Sequence, residues 1–263
     1  MSIRYYSGPH AEGRHWPHQW SLLPWGLAAV TIVGQILWIL TDSARDAITV
    51  TTVFTFALAS FVHAWQSRGW MWAVSYFAIA AGVGLIAEAV GTASGFPFGA
   101  YDYADSLGLK VLGVPIVIPL AWAMMAYPAL LATRALVSSR LAVALIGAWL
   151  LMSWDFFLDP QMVSEGHWSW ENSNPSLPGI DGIPITNFLG WFLTAFIMMW
   201  LLSLLPQHRS DDGVPTLMLL WVFGSNVMAN LVFFDRPWVA LWGGVAMGIV
   251  VVPWAWKTWI QRP

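Results

Sequence analysis

Apolar residues fall in eight long stretches, at roughly 22–41, 47–66, 70–92, 114–135, 140–158, 185–205, 214–235 and 238–257. Each approaches the roughly 20 mostly apolar residues with which a helix crosses the hydrocarbon core. The pattern predicts an all-α fold, a polytopic transmembrane helical bundle of about eight spans. The last two are separated only by a short Asp-Arg-Pro turn at 235–237, so a re-entrant segment and a total of seven spans is the alternative. Pro115, Pro119 and Pro128 all lie in the fourth stretch, which is therefore predicted to be kinked or broken. The chain divides into a polar segment, 1–20, and a single helical domain, 21–263. Two long connections, 93–113 and 159–184, interrupt that domain and are predicted to act as lids. No repeat and no soluble domain boundary stands out.

Composition says which solvent this surface meets. Of 263 residues 58% are apolar and only 10% charged, where a soluble domain carries about 25% charged residues. The 20 tryptophans point the same way, because tryptophan favours the membrane–water interface. Trp16, Trp20, Trp25, Trp70, Trp72, Trp238 and Trp259 sit at segment ends. Trp122, Trp149 and Trp191 fall inside segments, where they can line an interior. The net charge of −3 and the lack of a basic cluster exclude a nucleic-acid partner. With no cysteine, disulfides, thiolate metal sites and cysteine nucleophiles are excluded. Residues 1–19 do not resemble a cleavable signal, so the first span reads as a retained anchor.

Lysine and arginine set the orientation. With the N-terminus inside, the inner side holds Arg4, Arg14, Arg68, Arg134, Arg140, Arg209, Lys257 and Arg262, and the outer side Arg45, Lys110 and Arg236. This predicts a multi-pass protein of the cell membrane with both termini cytoplasmic and both long connections outside.

Ionisable groups inside a membrane are costly and mark function by default. Glu88 lies near the end of the third span. Asp155 and Asp159 lie at the end of the fifth, spaced i, i+4 and so on one helix face. Asn226 and Asn230 repeat that spacing in the seventh, which Asp235 closes. On the predicted topology Glu88, Asp155, Asp159 and Asp235 all approach the outer interface, beneath the two connections. A carboxylate within one turn of a helix end can simply be wet, and that reading stands beside the functional one for Asp159 and Asp235. His63, toward the inner end, reads as a satisfied interface histidine. No pair of histidines has metal-ligand spacing with a carboxylate nearby, so no metal is expected.

Four blocks then stand out in order: Gly95-Phe-Pro-Phe-Gly-Ala-Tyr101; Gly113-Val-Pro-Ile-Val-Ile-Pro-Leu-Ala-Trp122 with Met124-Met-Ala-Tyr-Pro128; Trp154-Asp-Phe-Phe-Leu-Asp-Pro-Gln161; and Gly182-Ile-Pro-Ile-Thr-Asn-Phe-Leu-Gly-Trp191. Over residues 84–200, with a weaker echo in the last two spans, the chain resembles the CruF-type carotenoid biosynthesis family. The resemblance implies a membrane hydratase that adds water to the terminal double bond of an acyclic (ψ) carotenoid end and gives a tertiary alcohol. The substrate would be a γ-carotene or lycopene-like C40 compound or the C50 precursor of bacterioruberin. The implied partners are that carotenoid, the lipid bilayer and, beyond them, other enzymes of carotenoid biosynthesis.

Hydration of such an alkene needs a strong proton donor, aromatic faces for the tertiary cation, and a group that positions water. It needs no cofactor. A carboxylic acid in an apolar setting can be the donor. Asp155 or Glu88 is the candidate acid, with the other, or Asp159, orienting water. Tyr101, Tyr103, Trp122, Trp154 and Phe156 are candidates to line the cation site, and Asn187 and Asn230 to bond the water or the product hydroxyl. Two rivals remain. The Asp155–Asp159 spacing also fits the magnesium–diphosphate motif of a UbiA-like prenyltransferase, although no second acidic motif accompanies it. Broken helices and intramembrane acids also suit a small-solute transporter.

Overall fold

The computed structural model describes residues 22–208 and 210–260. The polar segment 1–20, Trp16, Trp20 and the charges of Arg4, Arg14, Arg209 and Arg262 therefore lie outside the described residues.

Eight helices form where the apolar stretches stand: α1 (Leu23–Leu40), α2 (Arg45–Arg68), α3 (Trp70–Ser94), α4 (Val117–Leu136), α5 (Arg140–Ser164), α6 (Ile185–Ser203), α7 (Gly213–Val232) and α8 (Pro237–Ile260). All eight are long and apolar enough to cross a membrane, and the chain is a multi-pass membrane protein. Both members of the α7–α8 pair meet that length, which favours eight spans over seven. Their turn is tight because Asp235 adopts a positive φ of 51°. Asp235 itself is exposed, as a wet helix-end carboxylate would be.

α4 is the central helix. Residues 121–130 are buried without a break, and α2, α3, α5, α6, α7 and α8 all pack against it. Its Ala121, Ala123, Ala126 and Ala129 leave room for that approach, as small residues do between helices in lipid. α1 packs chiefly on α2 and only lightly on α7. The prolines fall differently from the expectation of a broken span. Pro115 belongs to a strand and Pro119 to the first turn of α4, where its missing N–H has no intrahelical partner to lose. Only Pro128 lies inside the helix.

α5 is also longer than its hydrophobic stretch suggests. It runs through Pro160 to Ser164 rather than stopping near residue 158. The added turn buries Met162. It is tied to the α7–α8 turn by Arg236, whose Nη1 donates to the Pro160 carbonyl at 3.3 Å and whose Nη2 donates to Ser164 Oγ at 2.7 Å. Asp155 and Asp159 thus lie within the helix, 0% and 2% exposed. The second connection begins at residue 165, not at 159.

The two long connections contain paired strands. β1 (Tyr101–Tyr103) pairs antiparallel with β4 (Trp168–Trp170), in the register Tyr101↔Trp170, Asp102↔Ser169 and Tyr103↔Trp168. Within the first connection β2 (Lys110–Val111) pairs with β3 (Val114–Pro115). Within the second, β5 (Ser176–Leu177) pairs with β6 (Ile180–Pro184). Because β1 and β4 come from different connections, both connections roof the same end of the bundle.

At the opposite end His63 is a satisfied group, as expected. Its Nδ1 lies 2.8 Å from Tyr127 Oη and its Nε2 3.0 Å from the Asp211 carbonyl. Arg68 donates to Tyr127 Oη at 2.5 Å and to Asp212 at 2.6 Å. This cluster ties α2 and α4 to the segment entering α7.

Candidate active site

The site is assembled from the ends of α3, α5 and α6, the start of α4, and the β1–β4 roof. On α3, Gly84, Glu88 and Gly91 follow at i, i+4 and i+7 and so share one face. A Cβ on Gly84 would lie 2.6 Å from Trp122 Cδ1, and one on Gly91 would lie 2.8 Å from Phe98 and 2.9 Å from Tyr101 Oη. The two glycines therefore let α4 and the roof close on either side of Glu88. Its carboxylate receives three donors. Tyr101 Oη and Tyr103 Oη donate to Oε2 at 2.5 and 2.7 Å, and Trp122 Nε1 donates to Oε1 at 3.1 Å. Burial, and then the charge of Glu88, push both tyrosine hydroxyls well above their ordinary range, which keeps them protonated as donors.

The roof places its aromatics by strand alternation. Tyr-Asp-Tyr opposite Trp-Ser-Trp puts four rings on one face and Asp102 and Ser169 on the other, where both are exposed. Trp168 Nε1 donates to Asp159 Oδ1 at 3.1 Å, and Trp170 Nε1 donates to the Phe98 carbonyl at 3.0 Å. Lys110 pins the first connection, donating to the Tyr103 carbonyl at 2.9 Å and to Asp105 at 2.7 Å.

Asp155 and Asp159 project from one face of α5 toward Asn187 in the first turn of α6. Asn187 Nδ2 donates to Asp155 Oδ2 at 2.8 Å and also to Asp159 Oδ2. Both carboxyls thus converge on a single amide nitrogen. Asp155 Oδ1 is buried without a hydrogen-bond partner among the described residues.

Two cavities meet here. The smaller, about 30 Å³, is lined by Glu88, Asp159, Asn187, Tyr101, Tyr103 and Trp122, together with Phe98, Trp168, Trp170 and Trp191. A water needs about 10–15 Å³ on this measure, so there is room for two or three at most. The larger, about 170 Å³, is mostly apolar and lies between α1, α2, α4, α5 and α7. Ile118, Ala121, Leu158 and Trp168 line both.

The structure therefore brings Glu88, Asp159, Tyr101, Tyr103, Trp122 and Asn187 around one small cavity, with Asp155 directly behind Asn187. Trp154 lines the larger cavity instead. Two candidates fall elsewhere. Phe156 packs on Phe188 with ring centroids 4.5 Å apart and lines neither cavity. It stands one residue from Asp155 on a helix, about 100° around the axis. Asn230 donates through its Nδ2 to the Asn226 carbonyl at 2.9 Å, one turn earlier, and lines neither cavity. Trp168, Trp170 and Trp191 are additions. Trp191 stacks on Trp122 with centroids 3.9 Å apart. The alternation of Trp168-Ser-Trp170, matched by Tyr101-Asp-Tyr103, was the signal in the sequence for the first two. No group of three or more histidine, aspartate and glutamate side chains among the described residues is arranged to hold a metal.

Comparison with known proteins places these residues in a family. The model of a family described as carotenoid biosynthesis protein matches residues 47–254. Bisanhydrobacterioruberin hydratase of Haloarcula japonica is 31% identical over 150 residues, 51% of this chain and 50% of that protein. The chain thus matches about half the length of this curated relative. No solved structure matches the chain.

Proposed function

Since the chain belongs to the carotenoid biosynthesis protein family, we propose that it is a membrane carotenoid hydratase, adding water by acid catalysis to the terminal double bond of an acyclic end group. The observation that carries this reading is the small cavity. It has room for only about two or three water-sized groups, it is bordered by carboxyls and aromatic rings, and it opens beside a larger apolar space.

The chemistry divides among the carboxyls by their hydrogen bonds. Asp155 and Asp159 meet on one amide nitrogen, and two carboxyls so placed are best satisfied when one proton is held between them. Asp159 borders the cavity and Asp155 stands behind it. The pair gives its proton to the CH carbon of the trisubstituted alkene, and the electrons of the double bond form the new C–H bond. The adjacent carbon becomes a tertiary cation, facing Trp122, Trp168 and the two tyrosines. A desolvated cation on such rings gains about 2 kcal/mol or more. Glu88, already held by three donors, orients the water that adds to this carbon and takes up the proton that water releases. A proton returned to the aspartate pair completes the cycle, and the net change is the addition of one water. The residues need supply no redox step.

The relative's name and the apolar surroundings support a carotenoid with an open end, of C40 or C50 length. The membrane is the cell membrane, with both termini cytoplasmic and the roofed end outside. The test is expression in a lycopene-producing bacterium with mass analysis of the pigments. Products heavier by one water per modified end are expected. If neither lycopene nor a C50 precursor gains water, the hydratase reading fails.

A further inference from the structure

The larger cavity is not needed for the acid chemistry, yet it shares a wall with it. It is also open on one side. Ile36 on α1 and Met228 on α7 both line it, and both are exposed on the lipid-facing surface, 44% and 49%. Between them one side-chain bond crosses from helix to helix, from Trp221 Nε1 to Gln35 Oε1 at 2.7 Å. α1 is otherwise held mainly by α2. Roofing strands cover the site from the aqueous side, so the gap between α1 and α7 is the apolar way in.

We infer that this cavity seats the terminal isoprenoid portion of the substrate, which enters sideways from the bilayer between α1 and α7, with the Gln35–Trp221 bond as the latch. The inference rests on the hydratase reading and adds to it where the chain lies and how it arrives. Size limits what is seated. At about 10–15 Å³ per water-sized group, 170 Å³ accepts some eleven to seventeen such groups. That is one end of a C40 or C50 chain, and the remaining polyene stays in the lipid. Ile118, Ala121, Leu158 and Trp168, common to both cavities, then guide the terminal double bond to Asp159. A seat of this size acts on one end per visit and does not measure total chain length.

The chain's lack of cysteine makes the test clean. Gln35→Cys with Trp221→Cys can be joined by a cleavable bifunctional thiol reagent, and hydration of lycopene followed in proteoliposomes. Activity should fall to the level of Asp159→Asn while the link is intact and return when it is cleaved. A disulfide between Asp102→Cys and Ser169→Cys, facing partners on the outer side of the roof, should leave hydration unchanged. If the unlinked pair is itself inactive, Met228→Trp carries the test. It fills the mouth from the lipid side and should slow hydration without lowering thermal stability. Full activity with α1 and α7 linked, or with Met228→Trp, overturns lateral entry, as does loss of activity only when the roof is locked. These outcomes leave the hydratase reading untouched, whereas a wild-type protein that hydrates neither lycopene nor a C50 precursor sinks that reading first. Singly hydrated pigment should precede the doubly hydrated form, and their simultaneous appearance would contradict the one-ended seat.

Discussion

At the scale of residues, the three carboxyls are distinguished by how completely they are bonded. Among the described residues Glu88 receives three donors, Asp159 two, and Asp155 one, with its other oxygen unpartnered. A buried polar atom left unbonded costs about 1–3 kcal/mol, so the least satisfied carboxyl is where a proton is most useful. This is the physical basis for giving acid duty to the aspartate pair and water-holding duty to Glu88. Asp155→Asn and Asp159→Asn should each reduce hydration by about 10²–10⁴-fold, the usual share of a general acid. The rate of hydrated pigment formation, normalised to inserted protein, measures this. Near-normal turnover by both variants would remove the pair from the mechanism. That acids lay near this end of the third and fifth spans was legible in the sequence. The bonding on which their proposed roles rest was not, because it depends on Asn187, Trp168 and Tyr103, which arrive from other segments.

At the scale of elements, spacing alone put Asp155 and Asp159 on one face, and that face is the one turned inward. The wet alternative for Asp159 does not hold, because α5 continues past Pro160 and buries the residue. Proline discourages the helical conformation in the residue before it, so a boundary at that point was a fair reading of the local sequence. The α5 terminus is instead stabilised from outside, by Arg236. α3 shows the reverse case. Gly84 looks unremarkable among small residues of an apolar run, and only the approach of Trp122 gives it a purpose. Gly84→Ala would place a methyl 2.6 Å from the Trp122 ring and drive Nε1 away from Glu88. Insertion should be preserved while hydration falls markedly. Equal activity for Gly84→Ala, measured beside unchanged melting in detergent, would mean the Trp122–Glu88 bond is dispensable.

At the scale of the whole molecule, the two ends of the bundle carry different polar clusters. His63, Tyr127, Arg68 and Asp212 brace one end, and the carboxyls with their roof occupy the other. A reaction that consumes water is served by a site near an interface, and one that consumes an apolar chain by an opening to lipid. The orientation proposed from lysine and arginine is checked with single cysteines. Asp102→Cys should react with a membrane-impermeant maleimide in intact cells, and Asp211→Cys only after lysis. The opposite labelling would invert the topology and place the site at the cytoplasmic face.

Membrane residence and the eight apolar helices were legible in hydropathy and length, because a helix in lipid must satisfy its own backbone and needs about 20 apolar residues to do so. Those constraints act locally, so they can be read locally. The pairing of β1 with β4, the convergence of Asp155 and Asp159 on Asn187, the enclosure of Glu88, and the placement of Phe156 and Asn230 outside both cavities came from packing. Each joins residues far apart in the chain, and no local period or composition encodes which distant partner a buried polar group will find.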